Sequence, residues 1–332
     1  MIRIKARAPT GLGAHIVGSA VFLAAGTGLI CRRRALLREL RQVRRVARAA
    51  QSALLRPLPP RLDGLHLAAA QLSAERGATV GGDLYEAVAT EHGVRLVMGD
   101  VRGHGLAALG TVAAVLGSFR EAAHDEAELV GVLRRLERAH ARHLRERSRA
   151  DHPSNGRNPG HPPAEEFVTV LLLEITRDSE VRALNCGHPW PYLLSGGSVE
   201  PLSRTDPLPP LGPFPLPADL EPHACGPLLP GETLVLFTDG AEDTRDARGR
   251  FFSLPAALRE AVRHHAATPQ VVLRTVFTAL LDHADGRPGD DVALLVLRNG
   301  RQRGRAAGVR DDDICGSPAR ARATAPRAQP RP

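Results

Sequence analysis

Apolar and polar positions along the chain change their period several times, and each change predicts a different element. Gly11 to Cys31 is a 21-residue stretch without a formally charged side chain. As a helix it would span roughly 30 Å, the thickness of a hydrocarbon core. It reads as a single transmembrane helix. Residues 32–56 contain no helix breaker, and Leu36, Leu37, Leu40, Val43, Ala47 and Ala50 recur near helical spacing. They predict a juxtamembrane helix, ended by Pro57, Pro59 and Pro60.

From Leu65 the period shortens. Leu65–Leu72, Tyr85–Thr90 and Val94–Val101 read as strands, the last two joined by a turn at Glu91-His92-Gly93. Leu106–Ala123 predicts an apolar helix and Glu126–Arg147 a more amphipathic one. Residues 148–164, rich in Pro and Gly, predict a loop. Strands follow at Phe167–Ile175, Val181–Cys186, Tyr192–Leu194 and Thr233–Thr238, with a Pro-rich stretch over 201–230. Helices at Leu254–His265 and Pro269–Asp282 and a strand at Val292–Leu297 close the pattern. Strands, two helices, strands, two helices and a strand do not alternate as βα units do. The order predicts mainly antiparallel sheets with helices packed outside them. Residues 300–332, rich in Arg, Ala and Pro, read as a disordered basic tail. The predicted units are thus 1–31, 32–60, 61–299 and 300–332.

Charge sharpens this division. The formal net charge is +8, yet residues 61–299 carry 24 Arg against 32 Asp and Glu. The basic excess sits at the two ends, with 12 Lys and Arg and one Glu in residues 1–60. An acidic core, in a chain with only 11 scattered aromatic residues, argues against a nucleic-acid binder. Three basic residues precede the apolar stretch and eight follow it within 17 positions, so the C-terminal side is expected in the cytoplasm. A cleaved signal peptide fits less well, because Arg32-Arg33-Arg34 follows directly and no A-x-A pattern is present there. An interfacial helix is the remaining rival. The juxtamembrane helix could touch anionic lipid or pair with a second copy as a short coiled coil. Four widely separated cysteines, with no C-x-x-C pair, suggest neither structural zinc nor a disulfide framework.

Four acidic motifs carry the candidate chemistry. They are Val80-Gly81-Gly82-Asp83-Leu84-Tyr85-Glu86, Met98-Gly99-Asp100-Val101-Arg102-Gly103-His104-Gly105, Leu236-Phe237-Thr238-Asp239-Gly240 and Pro288-Gly289-Asp290-Asp291-Val292. Asp100 and Asp239 end apolar strands, and Asp290 stands just before one. Asp83 follows two glycines, so the backbone there can approach an ion closely. Carboxylates gathered from distant segments repel one another unless a cation sits between them. Oxygen ligands of this kind suit Mg²⁺ or Mn²⁺. Strand-rim carboxylates can hold two such ions about 4 Å apart, lowering the pKa of a bridging water and clamping phosphate oxygens. Taken singly each motif has a plainer reading: an Asp-Gly turn, a bulge at Gly81-Gly82, or a loop pair at Asp290-Asp291.

Together with Phe167-Val168-Thr169-Val170-Leu171-Leu172 and Asn185-Cys186-Gly187-His188-Pro189-Trp190-Pro191, these motifs resemble bacterial type-2C metal-dependent protein serine/threonine phosphatases of the SpoIIE/RsbU branch. The resemblance covers roughly residues 55–298. It implies an α+β fold, an αββα sandwich of two mainly antiparallel sheets flanked by helices, here preceded by one transmembrane helix. It implies that Asp100 bridges two Mn²⁺ or Mg²⁺ ions and that the Val101 carbonyl binds one of them. Asp239 and Asp290 would hold the other, and Asp83 would complete the shell directly or through water. Catalysis would then rest on Asp100 and Asp239 through metal-bound water. Glu86 stands where the family often has Asp, and Cys186 where it usually has Ala. Arg102 is close enough in sequence to Asp100 to touch substrate phosphate. His104 and His188 are open between acid catalysis and a turn or helix-start role. The expected partner is a phosphorylated anti-sigma-factor antagonist in a partner-switching pathway. The alternative is a catalytically inactive scaffold of the same fold.

Overall fold

The computed structural model describes residues 26–39, 42, 49–72, 81–103, 105–151, 166–263, 268–286 and 288–301. Eleven strands among them form two sheets. One runs β1 (Arg61–Leu62), β2 (Leu65–Leu72), β11 (Val292–Asn299), β10 (Thr233–Phe237), β7 (Tyr192–Ser195), β8 (Ser198–Pro201) in spatial order. The other runs β3 (Asp83–Thr90), β4 (Gly93–Val101), β5 (Val168–Ile175), β6 (Glu180–Cys186), β9 (His223–Pro227). Every pairing between these strands is antiparallel.

Alternation along β10 and β11 shows how the layers stack. Leu234 and Leu236, with Ala293, Leu295 and Leu297, belong to the core shared with β3–β6. Val235 and Phe237, with Val292, Leu294 and Val296, join a second core under two helices, α4 (Leu254–Arg263) and α5 (Pro269–His283). A strand with period-2 side chains that are apolar on both faces must be covered on both. On the other side α1 (Leu106–Asp125) and α2 (Leu129–Asp151) pack together against β3–β6. The architecture is therefore α+β, two antiparallel sheets with helices outside them. A short helix, α3 (Gly240–Asp243), follows β10.

The predicted elements are present, with shifted edges. Strand β2 falls on its predicted residues, and α2 starts and ends later than the periodicity suggests, running to Asp151. Strands β8 and β9 and the two-residue β1 lie where no strand was expected. Residues 152–165, most of the expected loop, are outside the described residues, as are residues 302–332 of the expected tail. Arg301 is described, and its guanidinium pairs with Asp63 at 2.9 Å, so the sheet-bearing unit extends past the expected edge at 299.

At the other end, residues 26–39 and 49–54 are helical, while most of the expected membrane segment falls on residues 1–25, outside the described residues. Among the described residues no helix is long and apolar enough to cross a membrane. The end of the juxtamembrane segment is not a free linker. Gln51 and Leu55 are buried, and Ala50 and Leu54 pack on Leu109 of α1.

Candidate functional site

The site begins in the register of β3 and β4, which pairs Asp83 directly with Asp100. Beyond that pair the Val101 amide donates to the Gly82 carbonyl at 3.1 Å. A Cβ at Gly82 would lie 2.2 Å from the Val101 carbonyl oxygen and 2.8 Å from Asp100 Oδ1. One at Gly81 would lie 1.8 Å from Asp291 Oδ2, and one at Gly240 would meet the Asp291 carbonyl at 2.0 Å. These glycines are therefore the contact points through which all four motifs come together. Only the smallest residue lets the backbones approach so closely.

Two further bonds, both to Asp83, join the sheets at this rim. Thr238, wholly buried at the end of β10, donates its amide to the Ala293 carbonyl and accepts the Ala293 amide on Oγ1 at 2.9 Å. Its side chain also bonds the Asp83 carboxyl, and Gln71 of β2 donates to Asp83 Oδ2 at 3.3 Å. Asp83 in one sheet is thus held by two residues of the other.

Electrostatics confirm that the carboxylates crowd one another. Burial holds the Asp83 carboxyl well above the usual range, and Asp100, Asp291 and Asp239 raise it further. The Asp100 carboxyl is pushed up to about 7, by burial first and then by Asp239, Asp290 and Asp291. Asp239 is raised by burial, then by Asp290 and Asp243. All the charges named as acting on these three groups are carboxylates, so like charge meets like charge. Asp291 is the site residue that the sequence reading did not single out. The doubled Asp290-Asp291 was the available signal, but a strand-edge argument favours only one of two neighbours.

Several expected residues take other places. Glu86, three residues along β3 from Asp83, points to the other face of the strand, where it is buried and accepts from Arg120 Nε at 2.8 Å. Arg120 also donates to the Leu54 carbonyl at 2.6 Å, so this pair ties β3, α1 and the N-terminal segment together. His188 is buried, and that burial pushes its pKa down to about 3, against the Phe237 carbonyl, which raises it. A neutral ring of this kind is no proton donor near pH 7. Asn185 brackets the His188 backbone with two bonds of 2.9 Å, and Nδ1 meets Thr169 Oγ1 at 3.0 Å. Thr169 in turn accepts the Asp100 amide at 3.1 Å. His188 therefore shapes its turn and supports the backbone of Asp100. Arg102 is exposed beside the rim, its guanidinium carbon 5.2 Å from the centre of the Phe167 ring. His104 lies outside the described residues.

The donor set fits hard divalent cations: oxygen ligands only, crowded carboxylates, and a main-chain carbonyl lying close over a glycine. Among the described residues, however, no three acidic, histidine or cysteine side chains close on a single point as ligands around an ion do.

The antiparallel two-sheet fold with its acidic rim is that of type-2C phosphatase domains. The profile of stage II sporulation protein E (SpoIIE) matches residues 90–299, and the chain belongs to this family. Among solved structures, the RsbU and RsbW domains of a Mycobacterium tuberculosis protein superpose with a TM-score of 0.53 at 23% identity, over 71% of this chain and 61% of that one. The phosphatase domain of SpoIIE from Bacillus subtilis, with a fragment of its regulatory domain, gives 0.52 at 15% identity over 70% and 62%. The SiaA phosphatase domain of Pseudomonas aeruginosa gives 0.53 at 18% identity over 80% and 98%. The chain thus spans about three fifths of the first two structures. No curated protein matches the sequence.

Proposed function

We propose that this chain is a protein serine/threonine phosphatase, anchored by residues 11–31 with its catalytic domain in the cytoplasm. The observation that carries this reading is the meeting of Asp83, Asp100, Asp239, Asp290 and Asp291 at one rim, where their charges act on each other. Asp100 and the Val101 carbonyl would hold one divalent cation, Mn²⁺ or Mg²⁺. Asp239 and Asp290 would share Asp100 with a second, and Asp83 would complete the shell. The cations, when bound, supply Lewis acidity for the attack of water on a phosphate monoester. Asp291, wedged against Gly81, adds negative charge to the same rim and is an additional ligand candidate. The chain's own residues orient the parts. Thr169 and His188 hold the Asp100 backbone, and Arg102, exposed two residues after Asp100, would pair with substrate phosphate.

The substrate is a phosphoserine or phosphothreonine on a protein, of the anti-sigma-factor antagonist type. The family match and the RsbU and RsbW neighbour support this class. The described helix 26–39 exposes Leu29, Ile30, Leu36 and Leu37, which suits contact with lipid or a second copy of the chain. Input from that end has a route to the rim, because buried Gln51 donates to the Gly81 carbonyl at 3.5 Å and to Gln71, the partner of Asp83.

A second reading is a binding scaffold without turnover. The absence of a closed ligand set among the described residues favours it. Phosphate release from a phosphoserine protein separates the two. With Mn²⁺ we expect release that stops on chelation and falls at least a thousandfold in Asp100→Asn and Asp239→Asn, whose folding is retained. Wild-type rates in either variant would refute the assignment, and no release from any phosphoprotein would favour the scaffold.

A further inference from the structure

The C-terminal half of α2 and the loop 212–215 border a half-open cleft of about 630 Å³, and none of the rim aspartates lines it. That size falls among small-ligand sites, roughly 300–1,000 Å³, and is too small for a folded partner. Arg138, Arg145 and Arg149 line one wall. Spaced by seven and eleven positions from the first, the other two fall about 20° to either side of it, so all three lie within about 40° around the helix. All three are exposed, and none has an ion-pair partner among the described residues. Two other arginines of the same helix are committed: Arg135 pairs with Asp125 and Glu126, and Arg147 with Glu166. The one carboxylate in the lining, Glu137, accepts the Leu216 amide at 2.8 Å and so serves the loop.

The opposite wall is Phe214, held between two prolines and 65% exposed. His140, 1% exposed, lines the cavity from the other flank of α2, and its Nε2 has no hydrogen-bond partner. A Cβ on Gly212 would come within 3.0 Å of that ring, so the glycine leaves it room. A buried polar nitrogen without a partner is uncommon in a folded protein, and a bound group would supply one.

We propose that this cavity binds a small organic phosphate carrying a flat ring, of nucleotide size. The three guanidinium groups face the phosphates, Phe214 stacks on the ring, and His140 makes one hydrogen bond to the ligand. Arginine suits this role because its planar fork matches phosphate oxygens in pairs. The site is independent of the phosphatase reading, since it uses none of the same residues.

The test is calorimetric titration of the full chain in detergent with AMP, ATP and inorganic phosphate, in chelator so that no cation mediates binding. ATP should bind once per chain. Arg145→Glu with Arg149→Glu should weaken it at least tenfold, and Phe214→Ser should weaken the nucleotides but not inorganic phosphate. These side chains are exposed, so the variants should melt as the parent does. No binding of either nucleotide up to about 1 mM, the weak end of specific affinity, would overturn the proposal. So would an unchanged affinity in the double charge reversal.

Discussion

Asp100 keeps a proton that an ordinary aspartate has lost, because burial and three neighbouring carboxylates oppose its charge. An acid whose pKa is raised on folding makes the native state bind protons that the unfolded chain has released. Without metal, its contribution to stability therefore declines as the pH rises from 3.8, its ordinary value, to about 7. Asp100→Asn removes that decline. In chelator at pH 7 the variant should melt a few degrees above wild type, with the gap closing towards pH 4. Saturating Mn²⁺ should reverse the order, since wild type alone keeps the full ligand set. Parallel melting curves across that pH range would contradict the crowding. At this scale the sequence was informative about which aspartates meet, because each motif pairs an acid with a glycine or a strand end. It was silent on what holds them. The Thr169 hydroxyl between His188 and Asp100 joins residues that only strand pairing brings together, and no local pattern encodes it.

Among the elements, α1 is fixed to the sheet by a buried charge. Arg95 of β4 is fully enclosed, binds Glu174 of β5 and donates to the carbonyls of Ala123, Glu126 and Ala127 at the end of α1. Those carbonyls lack helical partners, and a cation there also complements the helix dipole. Arg95→Ala leaves Glu174 buried without its main partner. We expect about 3–5 kcal/mol of lost stability in chemical unfolding. A loss below about 1 kcal/mol would mean that exposed Arg182, 3.9 Å from Glu174, compensates. No local pattern in Val94–Val101 marks Arg95 as buried, which shows what periodicity cannot reveal. The same limit explains β8 and β9. Both lie at sheet edges, β9 within a Pro-rich stretch, so neither shows the apolar run that marks central strands such as β10. Strands buried on both faces were readable because their composition leaves no other place for them.

At the scale of the whole molecule, an acidic unit with the phosphatase fold is joined to an arginine-rich N-terminal segment. The larger positive charge after residue 31 should keep that unit in the cytoplasm. Protease added outside intact cells should leave a C-terminal tag uncut, and cleavage there would reverse the proposed topology. All the proposed chemistry depends on carboxylates of both sheets acting as one ligand set across a rim lined by Gly81, Gly82 and Gly240. The most direct measurement is anomalous diffraction from crystals soaked in Mn²⁺. It should show two peaks bounded by Asp83, Asp100, Asp239 and Asp290, with the Val101 carbonyl on one of them. A rim without manganese, or manganese bound at some other cluster, would contradict the account.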